Sequence, residues 1–185
     1  MKRMLMLALA LVMLTACALA EDSHPFGSFN LTVPEDAAVE ENDLTLTVIR
    51  EQARVVVQVI PQELSEDGQA QVRELLSVYN ENIAEVTDVP LVAGLYGAMG
   101  LIEDRLDEGI HEIPVLILAR GELLILSGYD LEGDTLAVHT LIADLLSGVT
   151  FAGEPILPAL DSQPESSSRR YPLWRSYSCN PFPRR

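Results

Sequence analysis

An α/β (α+β) domain, an antiparallel sheet flanked by two helices, is predicted by three features of this 185-residue sequence. Apolar residues alternate with polar ones in several short runs, and two longer segments repeat them at helical spacing. The connections between adjacent extended runs are too short for parallel crossovers, so neighbouring strands should pair antiparallel. Two amphipathic helices each need a sheet face to cover, and an α/β sandwich of order βββαβββα follows.

Each element has its own signal. Phe29, Leu31 and Val33 alternate with Asn30 and Thr32, and Pro34 closes that strand. The acidic stretch EDAAVEEND reads as a solvated loop leading to Leu44, Leu46 and Val48, and REQAR, from Arg50 to Arg54, turns the chain into Val55, Val57 and Val59. After Pro61 the period changes: Val72, Leu75, Leu76, Tyr79, Ile83 and Val86 share one helical face, with Ser65 or Asp67 as the cap and Glu66 near the positive end of the dipole. Nineteen residues from Gly68 would span about 28 Å. Extended segments are expected near Ala93 to Glu103 and Ile113 to Ala119, and ARGELL makes a hairpin into Leu123 to Tyr129. Gly133 and Asp134 open a second helix with the apolar face Leu136, Val138, Leu141, Ile142, Leu145 and Leu146, behind which Phe151 packs. Gly94, Gly97 and Gly100 recur without a phosphate-loop lysine and read as sites of a bent strand or close packing.

The segments FNLTVPED at Phe29 to Asp36, AGLYGAMGLIEDRL, IPVLILARGELLILSGYD and DTLAVHTLIADLLSGVTFAG carry a resemblance to the PsbP-like (PsbP/DcrB-type) fold family over residues 28 to 153. The likeness is one of element order and turn placement. It implies a binding or assembly role without a catalytic centre.

The ends of the chain say where it works. Met1, Lys2 and Arg3 precede an apolar run from Met4 to Leu14, too short to cross a bilayer as a mature helix and typical of a secretory leader. Leu14, Thr15, Ala16 and Cys17 resemble the bacterial lipobox, which implies a signal peptide over residues 1–16, transfer of a diacylglyceryl group with palmitate-type chains to the Cys17 sulfur, and cleavage just before it. An ordinary leader with an incidental cysteine is the simpler alternative. Two or more acyl chains would hold the protein to a membrane durably. Ala18, rather than aspartate, resembles an address on the periplasmic face of an outer membrane in a Gram-negative envelope; otherwise the outer face of the plasma membrane is expected. Residues 17–27 then form a lipidated polar tether, 28–153 the domain, and 154–185 a linker and disordered basic tail.

Without residues 1–16 the chain keeps 10 basic against 28 acidic residues, which makes nucleic acid an unsuitable partner. The charge is unevenly placed. Residues 18–161 carry 5 basic and 27 acidic groups, whereas 162–185 carry Arg169, Arg170, Arg175, Arg184 and Arg185 against Glu165. That tail has no apolar period, is rich in Ser and Pro, and interleaves Tyr171, Trp174, Tyr177 and Phe182 with arginine. It reads either as a solvated extension or as a surface for membrane, cell wall or the protein's own acidic body. Acylation of Cys17 would leave Cys179 without a partner in the chain.

Chemistry is thinly signalled. His24, His111 beside Glu112, and His139 lack second ligands at metal or triad spacing, and Ser127-Gly128 lacks the nucleophile-elbow pattern. Asp130, Glu132 and Asp134 in DLEGD are candidate calcium ligands. Gly133 comes too early for that loop and Leu141 stands where its last glutamate belongs. The alternative is that Asp134 caps the helix while Asp130 and Glu132 stay in water. The expected function is therefore that of a non-enzymatic accessory domain, anchored to a lipid bilayer through Cys17, that binds an envelope protein partner without a cofactor. The alternative is a small-ligand or divalent-cation binder; an enzyme ranks third.

Overall fold

Backbone ladders rather than side-chain patterns decide how far the sheets extend. The computed structural model describes residues 23–42, 44–105 and 110–159. The strands are β1 Ser23–Phe26, β2 Phe29–Thr32, β3 Ala38–Glu41, β4 Leu46–Arg50, β5 Ala53–Gln62, β6 Ile83–Val89, β7 Tyr96–Arg105, β8 Ile110–Ala119, β9 Gly121–Asp130, β10 Val149–Phe151 and β11 Glu154–Pro155, with helices α1 Gly68–Tyr79 and α2 Thr135–Ser147. They form a seven-stranded sheet, β3-β4-β5-β9-β8-β7-β6, and a four-stranded sheet, β1-β2-β10-β11. All strand pairs are antiparallel.

The mixed class, antiparallel pairing and two helices agree with the sequence. The element order is richer than βββαβββα. The first predicted strand does not pair with the second: β2 aligns Leu31 with His24 of β1 and with Val149 of β10, in a separate sheet. Pairing between distant segments leaves no local signal. Ser23 to Phe26 was expected within the tether, yet it is an edge strand, because a ladder needs backbone donors and not apolar side chains. Ala38 to Glu41, expected as loop, pairs with β4 for the same reason, and its exposed glutamates blunt an open sheet edge. The ordered structure also passes residue 153, since β11 follows and Ile156 is wholly buried.

Helix α1 stops at Tyr79, short of Val86. The Asn80 carboxamide accepts from the Asn82 N–H at 2.8 Å, a local turn that competes with further helix, and Ile83 to Val89 become edge strand β6. Asp67 is the cap, accepting from the Ala70 N–H at 3.0 Å. Arg73 grips Asp88 through two hydrogen bonds, tying α1 to β6, and that bond foremost holds the Asp88 carboxyl below its ordinary range.

The large sheet is buried on both faces at its centre. On one side Val72 and Leu76 of α1 meet Ala98, Leu116, Leu118, Leu123 and Ile125. On the other, Val138, Leu141, Ile142, Leu145 and Leu146 of α2 join Phe29, Leu31 and Val149 of the small sheet over Val55, Val57, Val115, Ile117, Leu124 and Leu126. Alternation along β8 and β9 serves both layers. Leu136 was expected on the buried face of α2 and is 73% exposed, because it lies off the i, i+3, i+4 stripe that starts at Val138. Close packing explains Gly97 and Gly100: an added Cβ would lie 2.8 Å from the Leu91 side chain in one case and 2.9 Å from Ile83 in the other. Arg50 of β4 reaches Asp144 of α2 at 2.7 Å and Asp36 at 3.6 Å, and the hydrogen bond to Asp144 raises its pKa. Among the described residues no helix is long and apolar enough to cross a membrane.

Candidate functional site: a groove between the sheets

Where the β1–β2 turn meets the large sheet, Phe26, Gly27, Leu44, Val59, Ile60, Pro61, Gly121 and Glu122 line a half-open groove of about 340 Å³. Its shape follows from two local facts. Gly27 takes a left-handed φ of 57°, which lets the turn fold tightly over Glu122, where a Cβ would lie 2.5 Å from the carboxylate. The Ser28 N–H then donates to Glu122 Oε2 at 2.9 Å and pins the small sheet to β9.

The groove keeps apolar side chains in water. Leu44, expected as an inward residue of the second strand, lies before β4 and is 79% exposed; Ile60, out of phase with Val55, Val57 and Val59, is 40% exposed. The Asn42 side chain holds this corner by accepting from the N–H groups of Leu44 and Thr45, both at 3.0 Å. Glu41, three residues before Leu44, and Glu63, two after Pro61, are exposed, Glu41 sitting 3.6 Å from His24 Nδ1. The one hint of this surface in the sequence was the phase break at Ile60. Leu44 appeared to continue an inward alternation, which concealed it.

A second polar cluster, not foreseen, is buried under α1. Glu112 is 1% exposed, and its Oε1 accepts from the Tyr79 hydroxyl at 2.7 Å and from Ser127 Oγ in a very short bond. Both partners donate to one oxygen, so the arrangement satisfies a buried polar group. His111, adjacent in sequence, projects to the opposite face of β8 and does not join Glu112. Among the described residues neither His111 Nδ1 nor His24 Nε2 has a hydrogen-bond partner. His139 is half-buried on α2, and desolvation lowers its pKa.

The DLEGD turn serves the backbone. Asp134 accepts from the Leu136 and Ala137 N–H groups at 3.0 and 3.1 Å and caps α2, as one of the two readings had it. Asp130 was expected in water and is instead 3% exposed, its Oδ1 taking the N–H groups of Glu132 at 2.7 Å and Asp134 at 3.1 Å. Glu132 is exposed. Among the described residues no group of three or more His, Cys, Asp or Glu side chains is placed to hold a metal ion. Cys17, Asp43, Cys179 and the basic tail lie outside the described residues.

Neither a protein-family model nor a curated protein matches the sequence. Among solved structures, the solution structure of cyanobacterial PsbP (CyanoP) from Synechocystis sp. PCC 6803 is similar at a TM-score of 0.47 and 9% identity, covering 70% of this chain and 91% of that one. A crystal structure from Bacteroides thetaiotaomicron VPI-5482 is similar at a TM-score of 0.47 and 13% identity, covering 75% of this chain and 53% of the other.

Proposed function

We propose that this protein is a lipid-anchored envelope component whose domain acts by binding a partner and not by catalysis. The observation that carries the reading is the groove: exposed Leu44 and Ile60 stand at a corner between two sheets, with Glu122 in its wall. Such a surface suits an apolar anchor flanked by positive charge. Glu112, Asp130 and Asp134 are engaged in satisfying the fold. Lipid anchoring rests on the sequence around Cys17; the chain from Cys17 to Ser23, if random, reaches on the order of 10–15 Å, which would confine the domain to partners at the same surface.

Two measurements test the reading. Mass spectrometry of membrane fractions should find a mature protein starting at an acylated Cys17, and Cys17→Ser should abolish both modification and membrane retention. Crosslinking in intact cells should capture an envelope protein, with capture weakened by Leu44→Asp and by neutralising Glu40 and Glu41. Capture indifferent to all of these would sink the binding role at this groove. The groove's volume also favours a second reading, a small-ligand site; a bound metabolite released on denaturing the purified protein would select it.

A further inference from the structure

We propose that the basic, aromatic segment between Arg169 and Phe182 folds back onto the groove of its own chain and seats Trp174 against Leu44 and Ile60. Charge supports this occupant: residues 162–185 carry five arginines and one glutamate, whereas residues 18–161 carry 27 acidic and 5 basic groups. At the groove itself Glu122 forms one wall; exposed Glu41 and Glu63 stand three residues before Leu44 and two after Pro61 in the chain, with Arg120 at the β8–β9 turn as a basic neighbour. Chemistry fits as well. Phe26, Leu44, Val59, Ile60 and Pro61 offer an apolar floor for an indole, and the flanking guanidinium groups find the Glu122 carboxylate in its wall.

The topology delivers the tail to this end of the molecule. The Val92 N–H donates to the Ile156 carbonyl at 2.9 Å, so the chain leaves the fold beside the β6–β7 connection. Tyr96 pairs with Leu118, Leu118 with Leu123, and Leu123 with Ile60, so the exit and the groove lie at the same end of the large sheet, three strand spacings apart. That separation is about 15 Å. Trp174 lies fifteen positions after Ala159, and an extended chain of that length spans up to about 50 Å. A tether of this kind keeps the tail at an effective concentration on the order of millimolar, so modest affinity suffices. Seating of the tail needs neither the membrane nor a partner; a partner of the same chemistry would compete with it, and failure of either proposal leaves the other standing.

Trp174 is the single tryptophan of the chain, which makes its emission a direct report on the tail. In the purified protein with its tail intact, emission should be blue-shifted, independent of protein concentration, and quenched by acrylamide roughly threefold less than free indole. Leu44→Asp, at a residue too exposed to matter for folding, should return the emission to that of free indole, as should replacing Arg169, Arg170 and Arg175 together by Glu. Leu136→Asp, at a comparably exposed leucine on α2, should leave it unchanged. Solvent-like emission in the unaltered protein, or a blue shift that survives Leu44→Asp, overturns the proposal. A shift that grows with protein concentration assigns the groove to the tail of a second copy, and one that appears only with anionic vesicles assigns the tail to a lipid surface; either also overturns it.

Discussion

Tyr79, the last residue of α1, donates its hydroxyl to the buried Glu112 of β8 at 2.7 Å. This bond couples the end of a helix to the centre of a sheet, and Ser127 on the neighbouring strand donates to the same oxygen. Removing one donor leaves the buried carboxylate less well satisfied, so Tyr79→Phe and Ser127→Ala should each cost about 1–2 kcal/mol. Urea midpoints should fall with unchanged slope, and the double variant should be non-additive because both donors serve one oxygen.

Close approach of α2 to β9 depends on Gly128. An added Cβ would stand 2.7 Å from both Ile142 Cδ1 and Val138 Cγ1. Gly128→Ala should destabilise by about 1–3 kcal/mol through overpacking. Ile142→Val removes the clashing Cδ1, so the pair Gly128→Ala with Ile142→Val should cost less than the sum of the two single changes, measured as a denaturation cycle.

His139 gives stability a pH dependence of known sign. Desolvation depresses its pKa in the folded state, so the unfolded chain takes up the proton first. Its contribution is fully present above the unfolded value of about 6.5 and is lost as pH falls from there toward the folded value. The denaturation midpoint should therefore drop between about pH 7.5 and 5.5, and His139→Gln should flatten that part of the profile.

The α2 cap separates structural acid residues from a cation site. Asp134→Ala deprives the Leu136 and Ala137 N–H groups of their acceptor and should cost about 1 kcal/mol, or roughly 3–5 °C in Tm. The loss should be the same in calcium and in chelator. A wild-type Tm that rises several degrees with about 1 mM calcium, and does so only when Asp130 and Asp134 are intact, would restore the cation reading.

Much of the fold was legible because burial leaves periods in the sequence. Val55, Val57 and Val59 mark one face of a strand, and Val138, Leu141, Ile142, Leu145 and Leu146 mark one stripe of a helix; both patterns hold in the folded protein. Edge strands leave no such mark. Ser23 to Phe26 and Ala38 to Glu41 bury little, so their sequences resemble loops even though their backbones are paired. The groove was hidden for a related reason: Leu44 keeps the parity of Leu46 and Val48 while lying outside the strand that would bury it.

By itself, then, the sequence determined the class of the domain, where both helices begin, the acidic character of the body and the basic character of the tail. These are local properties, set by side-chain period, turn chemistry and charge. Tertiary structure alone decided that β2 leaves the large sheet to join β10, that Ile83 to Val89 pair as an edge strand beside β7, that Glu112 is buried against Tyr79 and Ser127, and that Leu44 and Ile60 meet at one exposed corner. Each of these depends on which distant segments share a ladder, and backbone hydrogen bonds, being the same for nearly every residue, do not write their partners into the sequence.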